Sequence, residues 1–417
     1  MSDDPRRFLS GLFDAAIAAA DPRRALAAHL PDVPQGRTIV IGAGKGAAQL
    51  AQAFEDLWPG PCSGVVVTRY GYACPTRHIR VIEAAHPVPD EAGLAASRAL
   101  LQAVAGLGSQ DLVVALICGG GSALLPMPAT GLGLQDEVDL NRALLASGAP
   151  IGVMNALRKQ FSGIKGGRLA LAAHPARVVT LVVSDVPGDD AAQVASGPTL
   201  ADAVTRDAAR QMLRDYRIEL PPRLRDHLAA EGAPAPLPDD PRFAGHSHCV
   251  IASAHLSLEA AAASSGMQAV ILSDSIEGEA ADVGQVHAAI LREIVQRDRP
   301  FRRPVLLLSG GETTVSLRDT CGKGGRNSEF LLALALAAEG YDFHALAADT
   351  DGIDGSEANA GAFADGATGA RLRGLGLNPR ALLAGHDSWT AFDALGDLFQ
   401  PGPTGTNVND FRAILIR

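Results

Sequence analysis

The 417-residue chain reads as an α/β protein in two parts: a parallel sheet covered by helices, then a second α/β domain with a mixed sheet, with a cleft between them. Three features carry that expectation. Short β-branched apolar runs alternate with alanine-rich helical stretches, the pattern of strands buried on both faces. At 220–241 the alternation gives way to "LPPRLRDHLAAEGAPAPLPDDP", rich in proline and without a long apolar run. The chain is also longer than one hydrophobic core usually covers.

Two helical stretches open the chain, "PRRFLSGLFDAAIAAA" and "RRALAAHL". Strands are expected at 38–42, 64–68, 78–84, 111–117 and 177–184, each an apolar run followed by a helical segment. The proline-rich break then divides a first domain, 1–240, from a second, 241–417. Beyond it, strands are expected at 248–253, 267–273, 304–310, 313–317, 343–348 and 411–417. The stretch "VLLLSGGETTVSL" reads as a hairpin, which makes the second sheet mixed.

Formal charge is −10, from 36 basic and 46 acidic residues, and the basic residues form no long run. Nucleic acid and anionic membranes are therefore not expected as partners. The five cysteines are scattered and never in C-x-x-C spacing, as expected for reduced thiols in the cytoplasm. The start, "MSDDPRRF", lacks the regions of a signal peptide, and "FLLALALAA" is too short to span a bilayer. The eleven histidines form no H-x-x-x-H or similar run, so a transition-metal site has little support.

In open α/β sheets, ligands bind outside the carboxyl ends of the strands, and the unusual residues of this chain fall there. In "IVIGAGKGAAQL", Gly42, Gly44 and Ala47 fit the dinucleotide fingerprint G-x-G-x-x-A. Lys45, between Gly44 and Gly46, stands at the positive end of the coming helix, where a cation is unfavourable unless an anion joins it. "CGGGSALL" places Gly119, Gly120 and Gly121 before Ser122, an arrangement suited to an oxyanion, although a tight strand-to-helix turn is the commoner use of such glycines. "CGKGGRNSEF" repeats the cation at a helix start with Lys323 and Arg326. Ser184, Asp185, Asp189 and Asp190 surround one turn and Asp349, Asp351 and Asp354 another; such acids suit magnesium, proton acceptance or ordinary turn chemistry. Gly310, Gly311 and Glu312 form a further polar turn.

A dinucleotide site wants an acid about 20 residues after the fingerprint. The second strand ends instead in "VVVTRYGYACP", with Arg69 and no acid, which weakens that assignment while leaving NADP open. No Walker A loop exists, because glycine follows Lys45.

Together "GAGKGA", "CGGGSALL", "ALRKQFSGIKGGRLA", "SDVPGDDAAQVASGPT", "SGGETTV", "GKGGRN", "DTDGIDG" and "PTGTNVNDFRAILI" resemble the glycerate 2-kinase family, nearly end to end and in order. The resemblance implies a Rossmann-like N-terminal domain and a C-terminal MOFRL domain. It also implies transfer of the ATP γ-phosphoryl group to the 2-hydroxyl of D-glycerate, with Mg2+. Lys45, Asp189 and Arg326 match the family's charged residues and are the expected catalytic set, with Asp189 also the expected metal ligand. Gly44, Gly46, Gly119, Gly120, Gly121, Ser122, Ser184, Asp185, Gly310, Gly311, Glu312, Lys323 and Asp351 are expected to bind substrate or ATP. Lys45 and Arg326 are expected to face each other across the cleft. Ser328 and Thr313 depart from the family's usual residues. Family members are often labelled hydroxypyruvate reductases, so an NADPH-dependent reductase is the alternative. D-glycerate is the expected small-molecule partner, and a homodimer is left open.

Overall fold

The computed structural model describes residues 4–230, 235–317 and 322–417. It contains two six-stranded sheets, each with its own core. The first is built from β1 (Thr38–Ala43), β2 (Ser63–Arg69), β3 (Ile79–Ala84), β4 (Leu112–Cys118), β5 (Arg177–Val183) and β6 (Ser247–Ala252), in the order β3-β2-β1-β4-β5-β6. The pairings among β1 to β5 are all parallel. Every residue of β1 and β4 is buried, as their continuous Ile, Val and Leu runs require of strands with helices on both faces. The strand order reverses between β1 and β4, which makes the carboxyl ends of these two strands the topological switch point.

The second sheet contains β7 (Ala269–Glu279), β8 (Val305–Thr314), β9 (Phe343–Asp349), β10 (Gly361–Asp365), β11 (Leu398–Phe399) and β12 (Asp410–Ile416), ordered β11-β10-β9-β12-β8-β7. It is mixed, since β7 and β8 run parallel while β12 is antiparallel to both β8 and β9. The expected hairpin at 304–317 is instead one strand, β8, paired to β12 on one side and β7 on the other. The glycines that suggested a turn, Gly310 and Gly311, lie within that ladder opposite Phe411 and Asp410.

The compact units divide at other points than the proline-rich break. One comprises Pro22–Ile251, the other Met1–Asp21 with Ala252–Arg417. Two tertiary facts explain the difference. Residues 248–252, expected in the second sheet, form the edge strand β6 of the first. The opening helix, Pro5–Ala19, packs Leu9, Leu12, Phe13 and Ala16 against Leu306, Leu346, Phe411 and Leu415 of the second sheet. Phe13 meets Phe399 and Phe411 edge-on at 5.0 and 5.8 Å. Burying each such side chain contributes about 1.5–3 kcal/mol, enough to fix the helix far from its sequence neighbours.

Candidate active site

At the switch point, β1 ends in a turn whose Lys45 N–H donates to the Gly119 carbonyl at 2.9 Å, tying the two glycine loops together. Thr68, near the end of β2, donates its hydroxyl to the Lys45 carbonyl at 2.9 Å. Gly46 caps the helix Ala47–Leu57 without any side-chain hydrogen bond. Lys45 is half-buried, and among the described residues no carboxylate lies within ion-pair distance of its ammonium. A cation held at a positive helix end suits an anionic ligand.

The glycines of the β4 turn are required by what crowds them. A Cβ on Gly119 would stand 2.1 Å from Asp185 Oδ2. Gly120 has φ +76°, and a Cβ there would lie 3.0 Å from Lys45 Cγ and 3.1 Å from His86 Nε2. Lys45, His86, Gly119, Gly120 and Asp185 are therefore brought together, from the loops after β1, β3, β4 and β5. Ser122 Oγ pairs with Ser196 Oγ at 2.9 Å, and Ser196 donates to Asn155 Oδ1 at 3.2 Å. Ser196 is held in a run of left-handed backbone, with φ +53° at Ala195, +59° at Ser196 and +56° at Gly197. Such conformations cost about 1–2 kcal/mol per non-glycine residue and concentrate at functional sites.

On the loop after β5, Ser184 is buried and bonds the backbone of Val186, so its hydroxyl shapes the turn. Asp189 has φ +53° directly after the left-handed Gly188, an uncommon backbone conformation, and its N–H closes the turn on the Val186 carbonyl at 3.1 Å. Burial pushes the Cys118 thiol up to about 12, so this cysteine is no nucleophile. Cys62, Cys74, Cys118 and Cys249 are all free thiols, and Cys321 lies outside the described residues.

The second unit holds a different constellation. Arg326 is the first residue of the apolar helix Arg326–Ala337, as the sequence suggested. Its guanidinium donates to Asp410 at 2.6 Å, Asp349 at 2.7 Å and Glu312 at 3.1 Å. Sheet register explains the convergence, because Asp410 at the start of β12 faces both Asp349 on β9 and Gly311 on β8. Burial alone would lower the guanidinium pKa, but Asp410, Asp349 and Glu312 outweigh it and hold the pKa well above its ordinary value. Burial pushes the Asp349 carboxyl up against the pull of Arg326. Asp410 is held low, because Arg412 and Arg326 outweigh its burial. Arg412 is fully buried and also donates to Thr313 Oγ1 at 3.0 Å and to the Gly310 carbonyl at 3.1 Å.

The Gly310–Glu312 stretch is strand, and it reaches the cluster through the Gly310 carbonyl, which accepts from Arg412, and the Glu312 side chain, which accepts from Arg326. Lys323 is exposed, lying 4.9 Å over the Trp389 ring and 3.6 Å from Glu357. The glycines around it fit close packing rather than an open cradle, for a Cβ on Gly325 would come within 2.4 Å of the Asp354 backbone. Asp351 braces its own turn, accepting from the Ile353 N–H at 2.9 Å. Ser328 donates to Asp354 Oδ2 at 2.7 Å and receives the Ser388 hydroxyl at 2.9 Å. No group of three or more His, Cys, Asp or Glu suited to a metal occurs among the described residues. His86, Ser196, Asp410 and Arg412 had not been singled out in the sequence, where nothing local connects them to the glycine loops or to Arg326.

Fold and site together define an α/β protein of two units, one with a cationic glycine turn at a topological switch point, the other with a buried arginine–carboxylate web. Residues 8–229 match the family described as a domain of unknown function, DUF4147, and residues 305–410 match the MOFRL family. A Thermotoga maritima protein named D-glycerate 2-kinase is 39% identical over 95% of this chain and 94% of its own length. The crystal structure of a glycerate kinase from Thermotoga maritima superposes with a TM-score of 0.89, covering 99% of each chain at 36% identity. A protein from Agrobacterium vitis, provisionally named hydroxypyruvate reductase, is 54% identical over 91% of this chain and 100% of its own length. The chain belongs to the glycerate 2-kinase family.

Proposed function

We infer that the protein is a glycerate 2-kinase, transferring the γ-phosphoryl group of ATP to the 2-hydroxyl of D-glycerate to give 2-phosphoglycerate and ADP. The observation that carries this reading is the near end-to-end match to a protein of that name, at 39% identity. The chemistry of the first unit agrees with it. Phosphoryl transfer needs positioning and positive charge more than covalent participation, and Lys45 supplies charge beside the glycine loops at the switch point.

In this reading Lys45 neutralises charge on the transferring phosphoryl group, and the backbone N–H groups of Gly119 to Ser122 hold phosphate or substrate oxygens. Asp189 accepts the hydroxyl proton or ligates magnesium. Magnesium usually takes one or two protein carboxylates, with water and phosphate completing its shell; Asp189 and Asp185, on one loop, fit that donor set. Bound there, the ion would offset phosphate charge. Arg326 keeps the expected part of meeting substrate charge, and its carboxylate partners refine how. Two of its carboxylate partners, Asp349 and Asp410, are buried, while the Glu312 side chain is 53% exposed. We propose that an anionic group of the substrate exchanges with Glu312, leaving the other two pairs to aim the guanidinium.

The name borne by the Agrobacterium vitis relative keeps a reductase in view. β2 ends without the acid that would anchor an NAD ribose, and Arg69, the residue that could meet an NADP phosphate, lies 3.7 Å over the Tyr72 ring. Purified protein should form ADP from D-glycerate and MgATP and leave NADPH unconsumed with hydroxypyruvate. The product should feed enolase without a mutase. NADPH oxidation without ADP formation would overturn the assignment.

A further inference from the structure

His86 has no part in the site as the sequence described it, yet its ring reaches the centre of that site. It follows β3, which is separated from β1 by β2, so its approach to the β1 and β4 loops is purely tertiary. A Cβ on Gly120 would lie 3.1 Å from His86 Nε2 and 3.2 Å from Lys45 Cε, so imidazole and lysine converge over the same glycine. Among the described residues, neither ring nitrogen has a hydrogen-bond partner within this chain.

We propose that His86 is a substrate-contacting residue that accepts a hydrogen bond from a hydroxyl group of the hydroxy-acid acceptor. The deduction runs through chemistry. Beside an ammonium group, the favoured orientation of a neutral imidazole turns a ring lone pair, not an N–H, towards the positive charge. Burial, with help from Lys45 and Arg69, lowers the His86 pKa to about 4 and keeps the ring neutral near pH 7. Phosphate and carboxylate groups are only acceptors when ionised, so a neutral ring nitrogen acting as acceptor excludes them and takes a hydroxyl, and its place beside Lys45 at the glycine loops puts it with the acceptor hydroxyl rather than the ribose. His86 thus distinguishes the acceptor's hydroxyl from the nucleotide phosphates, while Lys45 meets the transferring phosphoryl group. This rests on the glycerate 2-kinase reading and assigns the acceptor subsite within it.

The test compares wild type with His86→Phe and His86→Gln, the first lacking an acceptor and the second restoring one. Phe should raise the KM for D-glycerate about tenfold or more, the effect of one lost hydrogen bond. The KM for ATP should stay within about twofold and the thermal midpoint should hold, and Gln should recover part of the loss. Lactate and 3-hydroxypropanoate, each lacking one hydroxyl of glycerate, serve as competitive inhibitors. One of them should bind the Phe variant as well as it binds wild type. An unchanged glycerate KM, an equal rise for ATP, or both inhibitors weakening as much as glycerate would overturn the proposal. Failure of the wild-type enzyme to phosphorylate glycerate would instead overturn the kinase reading, so the two failures are separable.

Discussion

Arg326 and Asp410 meet at 2.6 Å across 84 residues of sequence, and the same carboxylate also binds the fully buried Arg412. One acid therefore orients two arginines, one sealed in the core and one at the edge of the web. Replacing Arg326 with Lys keeps the charge but cannot serve three carboxylates in three directions. Breaking a buried pair by removing one partner costs about 3–5 kcal/mol, so Arg326→Ala should lower urea-unfolding stability as well as kcat. Arg326→Lys should lose about 1–3 kcal/mol and at least tenfold in kcat. Wild-type stability in both variants would show that the web does not hold the guanidinium.

Asp354 supplies from a distant loop what Gly325 cannot, since a glycine N-cap has no side chain. Its carboxylate accepts the Asn327 N–H at 2.9 Å and the Ser328 N–H at 2.8 Å, two donors that the helix leaves unsatisfied. Asp354→Ala should cost about 2 kcal/mol or more in denaturant unfolding, the upper range for a lost cap plus buried unpaired donors. Because Arg326 begins that helix, kcat should fall in the same variant. A loss of stability with kcat unchanged would mean that the helix start does not position Arg326.

Gly119 can be tested by adding one methyl group. In Gly119→Ala the new carbon would meet Asp185 Oδ2 at 2.1 Å, so the acid or the loop must shift. The expected outcome is at least a tenfold fall in kcat/KM with a modest change in thermal midpoint, because a small misplacement near the reacting groups costs about 10²-fold. Full activity in this variant would remove Asp185 and the β4 turn from the site.

The fold was legible where burial is two-sided. The continuous apolar runs of β1 and β4 identify central parallel strands without help from any other part of the chain. The opening helix was legible as a helix but not in its placement, because an amphipathic face does not say which sheet it will cover. β8 looked like a hairpin because its two glycines imitate a turn, and only the flanking β7 and β12 show why the strand continues. In the site, Lys45 and the β4 glycines were legible because their chemistry is local. Arg326 was found, but its three acids lie 14, 23 and 84 residues away and converge only through register.

His287 gives the second unit a defined acid sensitivity. Its Nδ1 lies 2.8 Å from the Val283 carbonyl and therefore carries the proton, which leaves Nε2 to accept from the Ser309 hydroxyl at 3.0 Å. Protonating the ring would turn that acceptor into a second donor and force the Ser309 hydroxyl to reorient. Burial, and to a lesser degree Arg412, lowers its pKa to about 4, although the Val283 bond acts the other way. The unfolded chain takes up this proton near pH 6.5 and the native state only near pH 4. The stabilisation is therefore fully present above about pH 6.5 and is lost as pH falls from there to about 4. A shift of that size corresponds to about 3 kcal/mol. His287→Gln cannot titrate, so it should destabilise the protein at pH 7.5 but narrow its deficit against wild type at pH 5. Thermal unfolding of both proteins across that range checks it. A deficit that is constant with pH would show that His287 titrates alike in the folded and unfolded states.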